Sequence, residues 1–511
     1  MRPLRKTCGW PCALLAVLLL LPRPGRAQLQ PLDPEAVDGV VRDALKSWQV
    51  PGAAVAIVVG DRVVYLRGHG LREAGGKAAV TADSLFALGS CSKPFTALLL
   101  ALLGDAGKLS WDDPVRRHLP YFRLADPLAD ADVRLRDLLC HRTGVDSHDL
   151  LWYRAPWSQE EMIRKAGRLK PSRPFRTAFQ YQSVLFSAAG QAAAAAAGRS
   201  WQDLVHERIF RPLGMTSTTV TSAESAKVRD RASPHKKTAA GKVVPLPWYD
   251  FKEPNPAGSV SSTARDLARW LRFQLAEGVW EGKRLVSADR LLETRTPQIV
   301  IPVKGGVLEM NPYTRQMSYG MGWVIQDYRG QLMHVHGGAL DGFRAQMTLL
   351  PDLKVGIAVL SNLEGTQLNM AVTNTLIDQL MGAPYRDWNA HFGKIVKEGE
   401  DAQLADEQDR EAKRRNGTRP SRELAAYVGT YEDPAYGPAR VTLTGGKLVW
   451  HWSSFHAPLE HYHFDTFTAH HEHLVAVQVV FALNADGEVT RLEALDRVFR
   501  RALDRGAKNG D

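Results

Sequence analysis

The sequence predicts an α+β fold followed by a small all-β domain, and three observations predict it. Short apolar segments that read as strands lie near both ends of the first ~390 residues. Helical patterns fill the chain between them, so strands from the two ends form one antiparallel sheet flanked by a helical body. From about Arg422 onward apolar and polar residues alternate in period two, as half-buried strands do. At 511 residues the chain exceeds one ordinary core, and about 150 residues per domain predicts two or three domains. A composition of 44% hydrophobic and 23% charged residues is that of a folded soluble protein.

The first segment is expected to stand outside the fold. Arg2, Arg5 and Lys6 precede the apolar run Ala13 to Leu21, and "PRPGRAQ" follows it with a small residue at Ala27. This is the pattern of a secretory signal peptide over residues 1–27, cut after Ala27, and it places the protein outside the cell or in the periplasm. The run is shorter than the roughly 20 residues a membrane span needs, and no stable span is expected; a retained anchor is the alternative. Five positive charges and no acids leave with residues 1–27, so the formal balance falls from +10 to +5. That is too mild for a nucleic-acid partner. Cys91 and Cys140 then remain, and an oxidising compartment permits a disulfide between them without requiring it. The sequon at Asn416 has meaning only in a host that glycosylates.

The segment Val50 to Gly70 contains two apolar runs joined at "GD", a hairpin. "FTALLLALLGDAGKL", "VRLRDLLCHRTG" and "SVLFSAAGQAAAAAAGRSWQDLVHERIF" follow with helical patterning. The alanines of the last segment have the highest helix propensity and let helices approach closely. "YGMGWVIQDY", "QLMHVHGG", "FRAQMTLLPD" and "KVGIAVLSNL" are short, apolar and separated by turn residues, and complete the sheet. Residues 394–421 are dense in charge and form a linker or a solvated helix. Residues 422–511 form the all-β domain, with "TGGK" and "NADGE" as hairpin turns. The sequence-defined domains are thus 1–27, 28–393, 394–421 and 422–511.

Within "LFALGSCSKPFTALLL", Ser90 and Lys93 are three apart at the start of a helix. Residues at that spacing share a face, so the Lys93 amine reaches the Ser90 hydroxyl. Free N–H groups at the helix tip favour negative charge developing there. The serine becomes a nucleophile if desolvation and neighbouring positive charge keep the lysine partly neutral. Further along, "FQYQS" places Tyr181 before a helix, and "HVHGGALDGF" places His336, Gly337 and Gly338 at the end of a strand.

Together these three stretches resemble the S-x-x-K, Y-x-N and K-T-G or H-x-G elements of the serine β-lactamase and penicillin-binding-protein superfamily, in its class C, D-peptidase and esterase branch. "VPGAAVAIV", "GKLSWDDPV", "VRLRDLLCHRTGV", "IFRPLGMTST", "NPAGSVSSTARDLARWL" and "YGMGW" also resemble phrases of that family in the expected order, over roughly residues 35 to 385. The tail resembles a β-rich, partly lipocalin-like module fused to such hydrolases. The resemblance implies a β-lactamase/transpeptidase-like fold, with Ser90 as the acylated nucleophile. Lys93 accepts its proton or holds a neighbour in the basic form. Tyr181 works as phenolate beside Lys93 or passes protons through it. His336 donates to a substrate carboxylate or to Tyr181. Gly337 and Gly338 leave room for substrate along the strand edge, and the N–H groups of Ser90 and Ala339 form the oxyanion hole.

The family usually has asparagine where this chain has Ser183, and a hydroxyl lacks the amide's paired donor and acceptor. Ser183, Gly338 and Ala339 are therefore expected to meet substrate, with ester or peptide substrates less affected than β-lactams. His141 in "LLCHRTG" belongs to a phrase of structural character and stands outside the expected site, and Trp323 is expected to pack in the core. Seven histidines lie between His451 and His473, yet none has the spacing of a closed zinc site, so neither metal nor cofactor is expected. The implied activity is that of a serine hydrolase acting on a small ester, amide or D-amino-acid peptide. A true β-lactamase and a non-catalytic peptide or cell-wall binder are the alternatives. Oligomeric state is not legible.

Overall fold

A computed structural model of the chain describes residues 29–502. The expected signal peptide and its cut after Ala27 lie outside the described residues. Helix α1 (Pro34–Trp48) opens the fold, with the Asp33 carboxylate accepting the Glu35 N–H at 3.1 Å. Strands β1 (Gly52–Val59) and β2 (Arg62–Gly70) form the expected hairpin, and Gly60 supplies a φ of 63° at its turn. Helix α2 (Lys93–Asp105), α3 (Leu135–Leu139), α4 (Gln159–Ala166), α5 (Ser183–Ala197) and α6 (Ala264–Leu275) make the helical body. The chain then returns to the sheet through β3 (Ile299–Val300), β4 (Met317–Tyr319), β5 (Val324–Tyr328), β6 (Gln331–Leu340), β7 (Phe343–Leu350) and β8 (Val355–Ser361), before α7 (Leu368–Leu380).

The sheet has eight strands in the order β2-β1-β8-β7-β6-β5-β4-β3, so its centre joins the two ends of the domain. Its middle strands are covered on both faces. In β1, Ala53, Val55 and Ile57 pack in the core shared with α1 and α7, while Ala54, Ala56 and Val58 face the helical body. An apolar run without polar alternation is what two covered faces require. Trp323 is buried in that second core.

One irregularity prepares the site. Strand β6 pairs with β5 only as far as Val335 but continues along β7 to Leu340. Its last residues, His336 to Leu340, have no strand on the β5 side among the described residues, and the turn Gly89–Ser92 packs against this stretch, with Leu88 and Cys91 closest to Gly338.

Helix α8 (Trp388–Ala412) runs through the first part of the expected linker. It buries Trp388 and Phe392 at its start, and farther on the Lys394–Glu398, Lys397–Asp401 and Asp409–Lys413 pairs sit one turn apart along its exposed face. Beyond it, eight strands from β9 (Gly429–Asp433) to β16 (Arg497–Arg501) close into a barrel by pairing the last strand with the first. Tyr431, Trp450, Trp452, Phe481 and Phe499 fill its interior, so the barrel is a packed core. The barrel leans on the helical body through Trp157 against Trp452, with ring centroids 5.9 Å apart, and through His148 Nδ1, 2.9 Å from the Tyr436 hydroxyl.

Candidate active site

The turn before α2 selects which of its side chains faces the cleft. Gly89 has a φ of 51°, and a Cβ there would lie 2.4 Å from the Ala339 carbonyl oxygen. Cys91 turns inward, its Sγ 3.1 Å from the His336 carbonyl oxygen. Ser92 donates to the Gly89 carbonyl at 2.7 Å and accepts the Val260 N–H at 3.0 Å. Ser90 alone of the four is left half-buried and facing outward. Cys91 and Cys140 are both free, buried thiols, each pushed up to about 12 by burial.

Lys93 is fully buried. Its Nζ lies 3.0 Å from Ser90 Oγ, 3.2 Å from the Ala257 carbonyl oxygen and 3.4 Å from Ser183 Oγ. No carboxylate pairs with it among the described residues. Burial lowers its pKa to about 7, with Asp149 and Cys91 pulling weakly the other way. Desolvation therefore depresses the amine, and the neighbouring positive charge expected from the sequence plays no part. The Ala257 carbonyl is held by a loop that Asn255 locks: its Oδ1 accepts from Ala257 N–H and from Ser187 Oγ, both at 2.8 Å. Gly190 of α5 lets that loop close in, since a Cβ there would meet Pro256 at 2.4 Å.

Tyr181 and Ser183 join this cluster from the start of α5. The Tyr181 ring centroid is 4.6 Å from Lys93 Nζ. Burial raises its phenol above the ordinary value, and hydrogen bonds from Ser90 and Ser183 offset this in part. A resting phenolate, one of the two forms expected, is therefore disfavoured. Ser183 is turned to the lysine and the phenol.

His336 is placed differently from its expected role. Its Nε2 lies 2.9 Å from the Tyr319 hydroxyl and its Nδ1 2.7 Å from the Gly337 carbonyl oxygen, while its ring centroid is 6.5 Å from that of Tyr181. Burial, then the charge of Lys93, lowers its pKa to about 3. Both nitrogens are engaged and the ring is neutral, so it offers no cation to a substrate carboxylate. Gly338 also differs. A Cβ there would lie 1.9 Å from the Leu88 carbonyl oxygen, so the missing side chain makes room for protein backbone rather than substrate. Gly337 meets nothing nearer than 4.0 Å. Ala339 is exposed on the unpaired edge.

Sequence reasoning missed Ala257, Tyr319 and His141. Ala257 acts through its carbonyl, which carries no residue-type signal, whereas Tyr319 and His141 sit in phrases whose partners only the fold supplies.

A family model described as Beta-lactamase matches residues 37–381. The chain belongs to the beta-lactamase family. Residues 413–503 of this beta-lactamase-family protein match a domain of unknown function, DUF3471, which corresponds to the barrel. Unguisins hydrolase ungD of Aspergillus violaceofuscus is 27% identical over 450 residues, 80% of this chain and 76% of that protein. Penicillin-binding protein 4 of Amycolatopsis lactamdurans is 30% identical over 324 residues, 63% of this chain and 83% of its own. The octameric penicillin-binding protein homologue from Pyrococcus abyssi superposes with a TM-score of 0.61 at 20% identity, over 92% of this chain and 99% of its own. D-amino acid amidase from Ochrobactrum anthropi SV3 does so with 0.57 at 23%, over 68% and 97%. At these identities the structural likeness is one of fold.

Within this beta-lactamase fold the barrel contributes to the surroundings of the strand edge. Asp341, two residues beyond Ala339, lines a cavity of about 320 Å³ with Tyr153, Lys236 and Glu364 of the first body and Glu472 and His473 of the barrel. No helix among the described residues is long and apolar enough to cross a membrane.

Proposed function

We propose that this protein is a secreted serine hydrolase that forms an acyl-enzyme on Ser90 and cleaves small esters or D-amino-acid amides and peptides. The observation that carries the reading is the buried, carboxylate-free Lys93 amine 3.0 Å from Ser90 Oγ. A neutral amine has two N–H donors and one lone pair, so with the donors given to the Ala257 carbonyl and the Ser183 hydroxyl the lone pair is free to take the Ser90 proton.

In the forward step Ser90 Oγ bonds to the substrate carbonyl carbon as its proton passes to Lys93 Nζ. The N–H groups of Ser90 and Ala339 receive the oxyanion. The leaving alkoxide or amine takes a proton from the neutral Tyr181 phenol, which Lys93 replenishes. Water then attacks the acyl carbon, its proton passes through Tyr181 and Lys93 to Ser90 Oγ as the acyl C–Oγ bond breaks, and the carboxylic acid leaves with Ser90 restored. The hydrolase and amidase names among the relatives support this substrate class. Ser183, engaged by Lys93 and Tyr181, leaves no amide for a β-lactam to pair with, which favours esters and amides over antibiotics. Secretion rests on the leader pattern of residues 1–27.

The folded protein is expected to gain the mass of a fluorophosphonate on the Ser90 peptide, and Ser90→Ala to gain none. Absence of both labelling and p-nitrophenyl ester turnover in folded wild-type protein rejects the reading. Because only neutral Lys93 accepts the proton, acylation is expected to accelerate with rising pH through a midpoint near 7 and then level off. A stopped-flow rate that stays flat from about pH 6 to 8 would remove Lys93 as the base.

A further inference from the structure

We infer that His141 is a positioning residue that clamps Tyr181 from both sides and holds its phenol beside Ser90. This rests on the acylation chemistry proposed above. Tyr181 belongs to no helix or strand. The residue before it, Gln180, donates its N–H to the His141 carbonyl at 2.8 Å, and the residue after it, Gln182, donates its N–H to His141 Nδ1 at 3.1 Å. The His141 ring also packs on the Tyr181 ring, with centroids 4.3 Å apart and planes 39° from parallel. Backbone, side chain and ring of one histidine thus fix the backbone and ring of the tyrosine.

The histidine is itself held. It follows α3, and the residues after it are stitched to the segment leading to Tyr181: Arg176 N–H donates to the Arg142 carbonyl at 2.8 Å and Ser172 N–H to the Gly144 carbonyl at 2.9 Å. His141 is 1% exposed and has a φ of 59°, a left-handed conformation that among non-glycine residues favours Asn, Asp and His. Because Nδ1 accepts from Gln182, the neutral ring carries its proton on Nε2. That buried N–H has no acceptor among the described residues. Protonating the ring would turn Nδ1 into a donor and break the clamp. Burial, with Lys93 next in effect, keeps the ring neutral by holding its pKa well below the usual histidine value.

Asparagine provides the decisive variant, because its Oδ1 stands where Nδ1 stood and it tolerates a positive φ. With p-nitrophenyl acetate as probe and full-length protein, His141→Ala is expected to lower kcat by about 10- to 100-fold with KM nearly unchanged. His141→Asn is expected to recover to within about threefold of wild type. Tyr181→Phe is expected to lose about 10²- to 10⁴-fold, and adding His141→Ala to it should cost little more, since the clamp then has no phenol to hold. Wild-type kcat in His141→Ala, an Asn variant as slow as Ala, or full additivity with Tyr181→Phe overturns the inference while the acyl-enzyme reading stands. A wild-type protein that neither labels nor turns over ester removes both. Should His141→Ala not fold, His141→Gln, which lacks the acceptor at the Nδ1 position, is compared with His141→Asn, and equal rates overturn the inference.

Discussion

Lys93→Met is expected to lower kcat/KM for an activated ester by about 10²- to 10⁴-fold while making the protein harder to unfold. The first effect follows from removing the proposed base, whose Nζ lies 3.0 Å from Ser90 Oγ. The second follows from the cost of burying an amine. Its folded pKa of about 7 lies below the unfolded value of 10.5, so between these values the unfolded chain binds the extra proton and stability rises with pH. Below about 7 the penalty is fully present. Methionine fills similar volume and carries no proton, at the cost of unpairing the Ala257 carbonyl. Urea unfolding is therefore expected to show a gain on the order of 2–4 kcal/mol at pH 7, shrinking to under about 1 kcal/mol at pH 10. A variant no more stable than wild type at pH 7 would mean that the amine is not desolvated as its burial implies.

The second large effect is expected at Gly338. A methyl group there would stand 1.9 Å from the Leu88 carbonyl oxygen and 3.1 Å from the Cys91 nitrogen, both backbone atoms that cannot rotate away. Strand β6 and the Ser90 turn must then part, and the Ser90 and Ala339 N–H groups part with them. Gly338→Ala is expected to lower kcat by about 10²- to 10³-fold and to cost about 1–3 kcal/mol in stability. Gly337→Ala is the control. Its Cβ would meet nothing nearer than 4.0 Å, and its kcat is expected to stay within about threefold of wild type. Equal losses at the two positions would show that side-chain room for substrate, not the strand-to-turn contact, is what the glycines provide.

These two variants mark the limits of sequence reading. Ser90 and Lys93 were legible because a spacing of three places two side chains on one face whether the turn is 3₁₀ or α, and the structure uses both. The hairpin at Gly60 and the period-two tail were legible for the same reason: each is a local pattern. The route by which Lys93 is depressed was not, since burial is a property of everything packed around it. The family resemblance implies that His336 donates to a substrate carboxylate or to Tyr181, but its partner in the fold, Tyr319, comes from β4 and depends on sheet order. His141 sits in a phrase that reads as structural, and its bonds go to residues some forty positions on, which no local pattern shows. The charged stretch after residue 394 carries salt-bridge spacing, yet only the fold shows that it continues a helix rooted at Trp388.

What the sequence determined by itself is therefore the set of parts: the strands, the helices, the period-two tail and the serine and lysine three apart, all written in spacings of two to four residues. What the tertiary structure alone decided is the state of those parts. An amine's protonation, a phenol's orientation and a glycine's necessity depend on atoms brought close from far along the chain, and no local spacing encodes which ones arrive.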